Sequence, residues 1–155
     1  MKRIIFVREP RRYNTDFVPK KPRQEFERSL PLWTGHATSA PTKVCLGSYG
    51  YLKLTGMALQ QMNPSWTFAY EPSLNNSGRE MPDDLEAAIA KVHTVIESYE
   101  TLCTTLVLVL DAELLTSFFR RFTKLGFDSN HSLKPGEALV IDVSEPTRFT
   151  RCCAS

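Results

Sequence analysis

The sequence predicts an α/β (α+β) fold in which a mixed, largely antiparallel central sheet is flanked by helices. Three segments carry that prediction. From Leu85 to Leu102 apolar residues recur every three or four positions: Leu85, Ala88, Ile89, Val92, Val95, Ile96, Tyr99 and Leu102. That spacing gives a helix with one apolar face. Cys103 to Leu110 then runs apolar and β-branched without a break. It is too short for a buried helix and reads as a central strand covered on both faces. Asp111 follows as the cap of a further helix, whose buried stripe is Leu114, Leu115, Phe118, Phe119, Phe122 and Leu125.

In chain order, Ile4-Ile5-Phe6-Val7 is a short β-rich run and makes the first strand. Gln24 to Leu32 forms a brief helix, and the segment Thr34 to Pro41 has the small, polar character of a connection. Thr42 to Leu46 is the next strand. After the turn Gly47-Ser48-Tyr49-Gly50, the alternation of Tyr51, Leu52, Lys53, Leu54 and Thr55 predicts the second arm of a hairpin ending near Leu59. Trp66 to Glu71 alternates aromatic and small residues between Pro64 and Pro72, a strand with a stop at each end. Pro82 suits a first helical position, and Asp83, Asp84 and Glu86 complement the helix dipole. His93 stands just off the apolar stripe, with Glu97 one turn on as a solvated ion partner. Arg120, Arg121 and Lys124 lie near the end of the next helix, and Gly126 is the expected left-handed stop. The turn Lys134-Pro135-Gly136 leads into a last strand, Glu137 to Val143.

The chain divides into a basic N-terminal arm with the first strand (1–28), a single globular domain (29–146) and a C-terminal tail (147–155). A length of 155 residues suits one core. The apolar run around Leu106 to Leu110 is far short of the roughly 20 residues of a membrane span, so no membrane partner is expected. Ile4 to Val7 is likewise too short for the apolar part of a secretory signal. Cys45, Cys103, Cys152 and Cys153 form no CxxC pair and have no His partner at metal spacing, and the adjacent Cys152-Cys153 reads equally as a reactive or an accidental pair. A cytoplasmic protein with free thiols and no metal is the expectation.

The arm carries Lys2, Arg3, Arg8, Arg11, Arg12, Lys20, Lys21, Arg23 and Arg28 against few acids. It reads first as a solvated terminal segment, and secondly as a surface for nucleic acid, with Tyr13 and Phe17 placed to stack on bases. No P-loop, dinucleotide fingerprint, nucleophile elbow or metalloprotease motif occurs. One arrangement suits an anion. The Trp66–Glu71 strand enters the polar loop Asn75-Asn76-Ser77-Gly78-Arg79-Glu80, which opens onto a long helix whose free N–H groups favour negative charge. The same loop also reads simply as the surface start of a helix, with three nearby carboxylates opposing an anion.

The segment Phe119-Arg120-Arg121-Phe122-Thr123-Lys124-Leu125-Gly126-Phe127, followed by Ala138 to Val143, resembles the C-terminal end of the GNAT acyltransferases. The order of elements over 42–143 is similar to theirs. The resemblance implies an acyl-CoA-dependent N-acyltransferase with acetyl-CoA as its cofactor, held by Asn76, Ser77, Gly78 and Arg79. It implies Glu71 as the catalytic base taking the proton from the attacking amine. The chain departs from the family in two places: Glu80 stands where a small residue admits the pyrophosphate, and Phe122 where a tyrosine protonates the leaving thiolate.

Two other functions stand beside this one. The first is a non-enzymatic interaction or assembly protein, such as a viral or phage-encoded factor, anchored to a protein partner by the aromatic segments Tyr13–Phe17 and Leu30–Trp33. The second is nucleic-acid binding through residues 1–28. The acyltransferase reading requires a V-shaped split between the strands ending at Glu71 and Leu110.

Overall fold

The computed structural model describes residues 1–10, 20–37, 41–75, 82–124 and 133–153. The strands are β1 (Arg3–Arg8), β2 (Thr42–Leu46), β3 (Thr67–Tyr70), β4 (Thr105–Leu110), β5 (Ala138–Asp142) and β6 (Phe149–Cys152). The helices are α1 (Lys20–Ser29), α2 (Pro31–Thr34), α3 (Gly50–Met62), α4 (Pro82–Tyr99) and α5 (Ala112–Thr123). The strands form one six-stranded sheet in the order β3-β2-β4-β1-β5-β6. It is a mixed sheet with helices on both faces, as the sequence predicts. Its ladders divide three parallel (β1 with β4, β2 with β4, β2 with β3) to two antiparallel (β1 with β5, β5 with β6).

The balance tilts towards parallel pairing because the expected hairpin arm after Tyr49 is the helix α3. Its alternation over Tyr51 to Thr55 has a period of two, but Leu52, Thr55 and Leu59 are the buried positions, and their spacing belongs to a helix. A helical crossover brings the next strand in parallel, so β3 joins β2 in parallel register, with Val44 opposite Phe68.

The central pair is β1 and β4, with Ile5 opposite Val107 and Arg8 opposite Leu110. Every residue of β4 is buried, the consequence of packing on both sides. On one face Ile4, Phe6, Leu106, Leu108 and Leu110 pack against α4 and α5 through Val92, Leu114, Leu115 and Phe118. On the other, Ile5, Val7, Val107 and Val109 pack against Phe26, Leu30, Trp33, Leu52 and Leu59 of α1, α2 and α3. Alternate residues of each strand thus serve opposite cores.

Several expected features lie elsewhere. Leu30 and Trp33, expected as surface anchors, are wholly buried. The Trp33 indole stacks on Trp66 with ring centroids 5.9 Å apart, and its Nε1 donates to the Gly136 carbonyl at 3.0 Å. A side chain this large is worth more inside the core than on the surface. Lys124, with φ 59°, supplies the left-handed residue after α5. Gly126 and Phe127 lie outside the described residues, as do Tyr13 and Phe17. His93 sets its ring 4.7 Å from that of Phe118. Residues 149–152, within the expected tail, form β6 on the edge of the sheet. The cap expected at Asp111 is present, its Oδ1 accepting from the Glu113 and Leu114 amides at 3.0 Å each.

Candidate functional site at the carboxyl edge of the sheet

The connection leaving β1 runs through α1 and α2 on one face of the sheet, whereas the connection leaving β4 runs through α5 on the other. Two adjacent parallel strands whose connections part in this way leave a crevice beyond their carboxyl ends. In open α/β sheets that switch point is where ligands bind.

β1 ends here at Arg8, followed by Glu9, and β4 at Leu110, followed by Asp111. The Glu9 amide donates to the Leu110 carbonyl at 2.8 Å, which ties the two strand ends together. Glu9 and Pro10 are buried, while Arg8 is half-buried. The Arg8 Nη1 donates to the Leu133 carbonyl. Arg8, Leu133 and the first turns of α5, through Ala112, Leu115 and Thr116, line a small pocket of about 40 Å³. Asp111 turns its carboxylate onto its own helix, satisfying amides that would otherwise attract an anion. Lys53, exposed in the first turn of α3, places a second cation on the same edge.

The other strand ends at this edge are closed by their own side chains. Beyond β2, the Asn75 Oδ1 accepts from the Ser48 amide at 2.9 Å and its Nδ2 donates to the Ser48 Oγ at 2.8 Å. Gly47 admits this contact, since a Cβ there would stand 2.3 Å from the Asn75 Oδ1. Beyond β3, Glu71 accepts from the Tyr99 hydroxyl at 2.8 Å. Burial and that bond to Glu71 raise the Tyr99 phenol above its ordinary range. Burial, followed by the Glu71 charge, pushes the neighbouring Cys45 thiol up to about 12.

The required split is absent. β2 lies between β3 and β4 and is laddered to both, so the strands ending at Glu71 and Leu110 are not neighbours. Phe122 packs beside Phe118 and Phe6 on the margin of the core, with centroids 5.6 and 6.4 Å away. Asn76, Ser77, Gly78 and Arg79 lie outside the described residues. Among the described residues no cluster of three or more His, Cys, Asp or Glu could hold a metal, and no helix is long and apolar enough to cross a membrane.

A concavity of about 600 Å³ lies at the opposite edge beside Lys2, Arg3, Thr104 and Asp142. There Arg3 is occupied by Asp142 at 3.2 Å and by the His36 carbonyl at 2.8 Å. The switch-point rule favours the carboxyl edge as the site.

No family model matches the chain, and no curated protein matches it. Solved structures do. The mycobacterial glucosyl-3-phosphoglycerate phosphatase superposes with a TM-score of 0.71 at 9% identity over 100% of each chain. The phosphoglycerate mutase of Plasmodium falciparum gives 0.61 at 14% identity, covering 97% of this chain and 87% of the other. The chain has the phosphoglycerate mutase-like α/β fold. The α-ribazole phosphatase of Shigella flexneri shares this fold, with a TM-score of 0.61 at 12% identity over 96% and 94% of the two chains.

The phosphoglycerate mutase-like fold replaces the GNAT assignment and with it the acyltransferase function and the acetyl-CoA that the resemblance implied. The similar structures give no support to the alternatives of a viral or phage interaction factor and of a nucleic-acid arm. A helix followed by Gly-Phe and a strand arises from ordinary capping and is not peculiar to acyltransferases. The basic arm is in part a central strand: Arg3 to Arg8 lies between β4 and β5. Sequence reasoning passed over Arg8 by counting it among the arm's charges. The available signal was its place directly after the apolar run Ile4–Val7, at a strand end.

Proposed function

We propose that the chain binds a phosphate monoester at the carboxyl edge between β1 and β4, with Arg8 as the principal anion-binding side chain. The placement of Arg8 at the switch point carries this reading. A guanidinium offers a planar fork of donors that matches phosphate oxygens, and its charge persists at any working pH. Half-burial lowers the effective dielectric around it and strengthens such a contact. Lys53 adds a second positive charge from α3. The names of the similar structures support the choice of ligand: a phosphoglycerate mutase, phosphatases of phosphorylated small molecules, and the mycobacterial phosphatase in complex with inorganic phosphate. We place the activity in the cytoplasm, a reducing setting that suits four free thiols.

Titration of the whole chain with inorganic phosphate and with phenyl phosphate, followed by calorimetry, tests this. Saturable binding is expected, and Arg8→Ala weakens it about 10- to 100-fold, the value of a charge-assisted hydrogen bond. Absence of binding at millimolar phosphate overturns the proposal, as does equal binding by Arg8→Ala. Release of p-nitrophenol from its phosphate ester, measured alongside, reports whether binding leads to turnover.

A further inference from the structure

The loop that precedes β5 encloses Arg8 from several sides. The Arg8 amide donates to the Glu137 carbonyl at 3.0 Å, and the Arg8 carbonyl accepts from the Gly136 amide at 2.8 Å. The guanidinium donates to the Leu133 carbonyl. Leu133 is itself anchored, its side chain buried in the core beneath α5. The backbone of Arg8 is held by the ladder to β5, which any sequence of suitable shape could supply. One bond that holds the guanidinium is to the Leu133 carbonyl, whose direction is set by the turn Lys134–Glu137.

Glu137 holds this turn closed in two ways. Its amide donates to the Lys134 carbonyl at 3.0 Å, and its carboxylate Oε1 accepts from the Lys134 amide at 2.7 Å. The residue is 2% exposed. Taking a carboxylate this far from water is costly, so its short bond to the Lys134 amide is strong and local. The Lys134 amide belongs to the same peptide unit as the Leu133 carbonyl. Fixing one end of that rigid, planar unit fixes the other.

We infer that Glu137 is the positioning residue for Arg8: through the Leu133–Lys134 peptide it orients the guanidinium that receives the phosphate. This deepens the phosphate-binding reading and rests on it. An arginine left to rotate must be ordered when ligand arrives, whereas one already held loses less entropy on binding.

The experiment follows Arg8 directly in the whole chain. The ¹⁵N relaxation of its Nε–H group, assigned by the loss of that signal in Arg8→Lys, is compared in wild type, Glu137→Ala and Glu137→Gln. Inorganic phosphate affinity is measured on the same samples. Glutamine keeps an acceptor oxygen at this position, so Glu137→Gln is expected to preserve the order of Arg8 and to bind phosphate within about twofold of wild type. Glu137→Ala is expected to disorder the guanidinium and weaken phosphate binding about three- to tenfold, well below its melting temperature. Glu137→Asp keeps the charge and withdraws it by one methylene, giving the same reading should alanine prevent folding.

A merely structural role lowers the melting temperature and leaves the Arg8 signal and phosphate affinity as they are; that result overturns the inference. If Arg8 loosens as expected while no chain binds phosphate, the positioning role stands and the phosphate reading fails.

Discussion

Replacing Gly136 by alanine is expected to destabilise the protein by about 3 kcal/mol, from three contributions in the structure. Gly136 has φ 84°, a conformation in which an L side chain is strained by about 1–2 kcal/mol. Its new Cβ would stand 2.4 Å from the Phe26 carbonyl oxygen and 3.0 Å from the Ser29 Cβ. The oxygen is backbone of α1 and cannot rotate away, so the turn itself must move. That movement loosens the buried bond from the Trp33 Nε1 to the Gly136 carbonyl, and an unsatisfied buried donor costs about 1–3 kcal/mol. For a chain of this size the combined loss lowers the melting temperature by about 6–12 °C. Gly35→Ala is the control. Gly35 sits at φ −62° and ψ −22° with nothing within 4 Å of its Cβ direction, so alanine fits without strain. It also restricts the unfolded chain, and stabilises by about 0.4–1 kcal/mol. Urea unfolding of both variants, with equal slopes, supplies the assay. If Gly136→Ala is neutral, or if both substitutions change stability in the same direction, the assignment of strain and contact to Gly136 is refuted.

Two predictions concern titratable groups. Arg121 donates to both Glu86 oxygens and holds this exposed carboxyl below its usual range. A depressed folded pKa means a contribution present above the unfolded carboxylate pKa and lost as pH falls through the folded one. Glu86→Gln should therefore lower the urea midpoint slightly at neutral pH and low salt, with the difference vanishing in acid and in high salt. Constancy of that difference across pH would refute the pairing. Among the thiols, Cys45 is wholly buried and raised to about 12, so only its unfolded form ionises from about pH 9, and stability should decline as pH rises above that. Alkylation at pH 8 followed by peptide mass analysis should label the half-exposed Cys153 first and Cys45 only on unfolding; early labelling of Cys45 would contradict its placement.

Elements with strong local signals were legible in advance. The Asp111 cap, the apolar stripe of α4 and the unbroken run of β4 each express a period or a cap that acts within a few residues. The helix α3 was not legible as one. Its apolar residues also satisfy a strand alternation over Tyr51–Thr55, and only packing of Leu52 and Leu59 beneath the sheet separates the two. The site was legible even less. Arg8 carries no motif, and its meaning comes from β4 lying beside it, about a hundred residues away in the chain.

What the sequence determined by itself was the class of the fold and the type and order of most of its elements, because hydrophobic period, capping and turn chemistry act over short stretches of chain. Strand order was decided by the tertiary structure alone. Inserting β2 between β3 and β4 closed the split an acyl-CoA site would need, and seating β1 beside β4 placed Arg8 at a switch point. Periodicity states which face of a strand is buried; it contains no information about which strand becomes its neighbour.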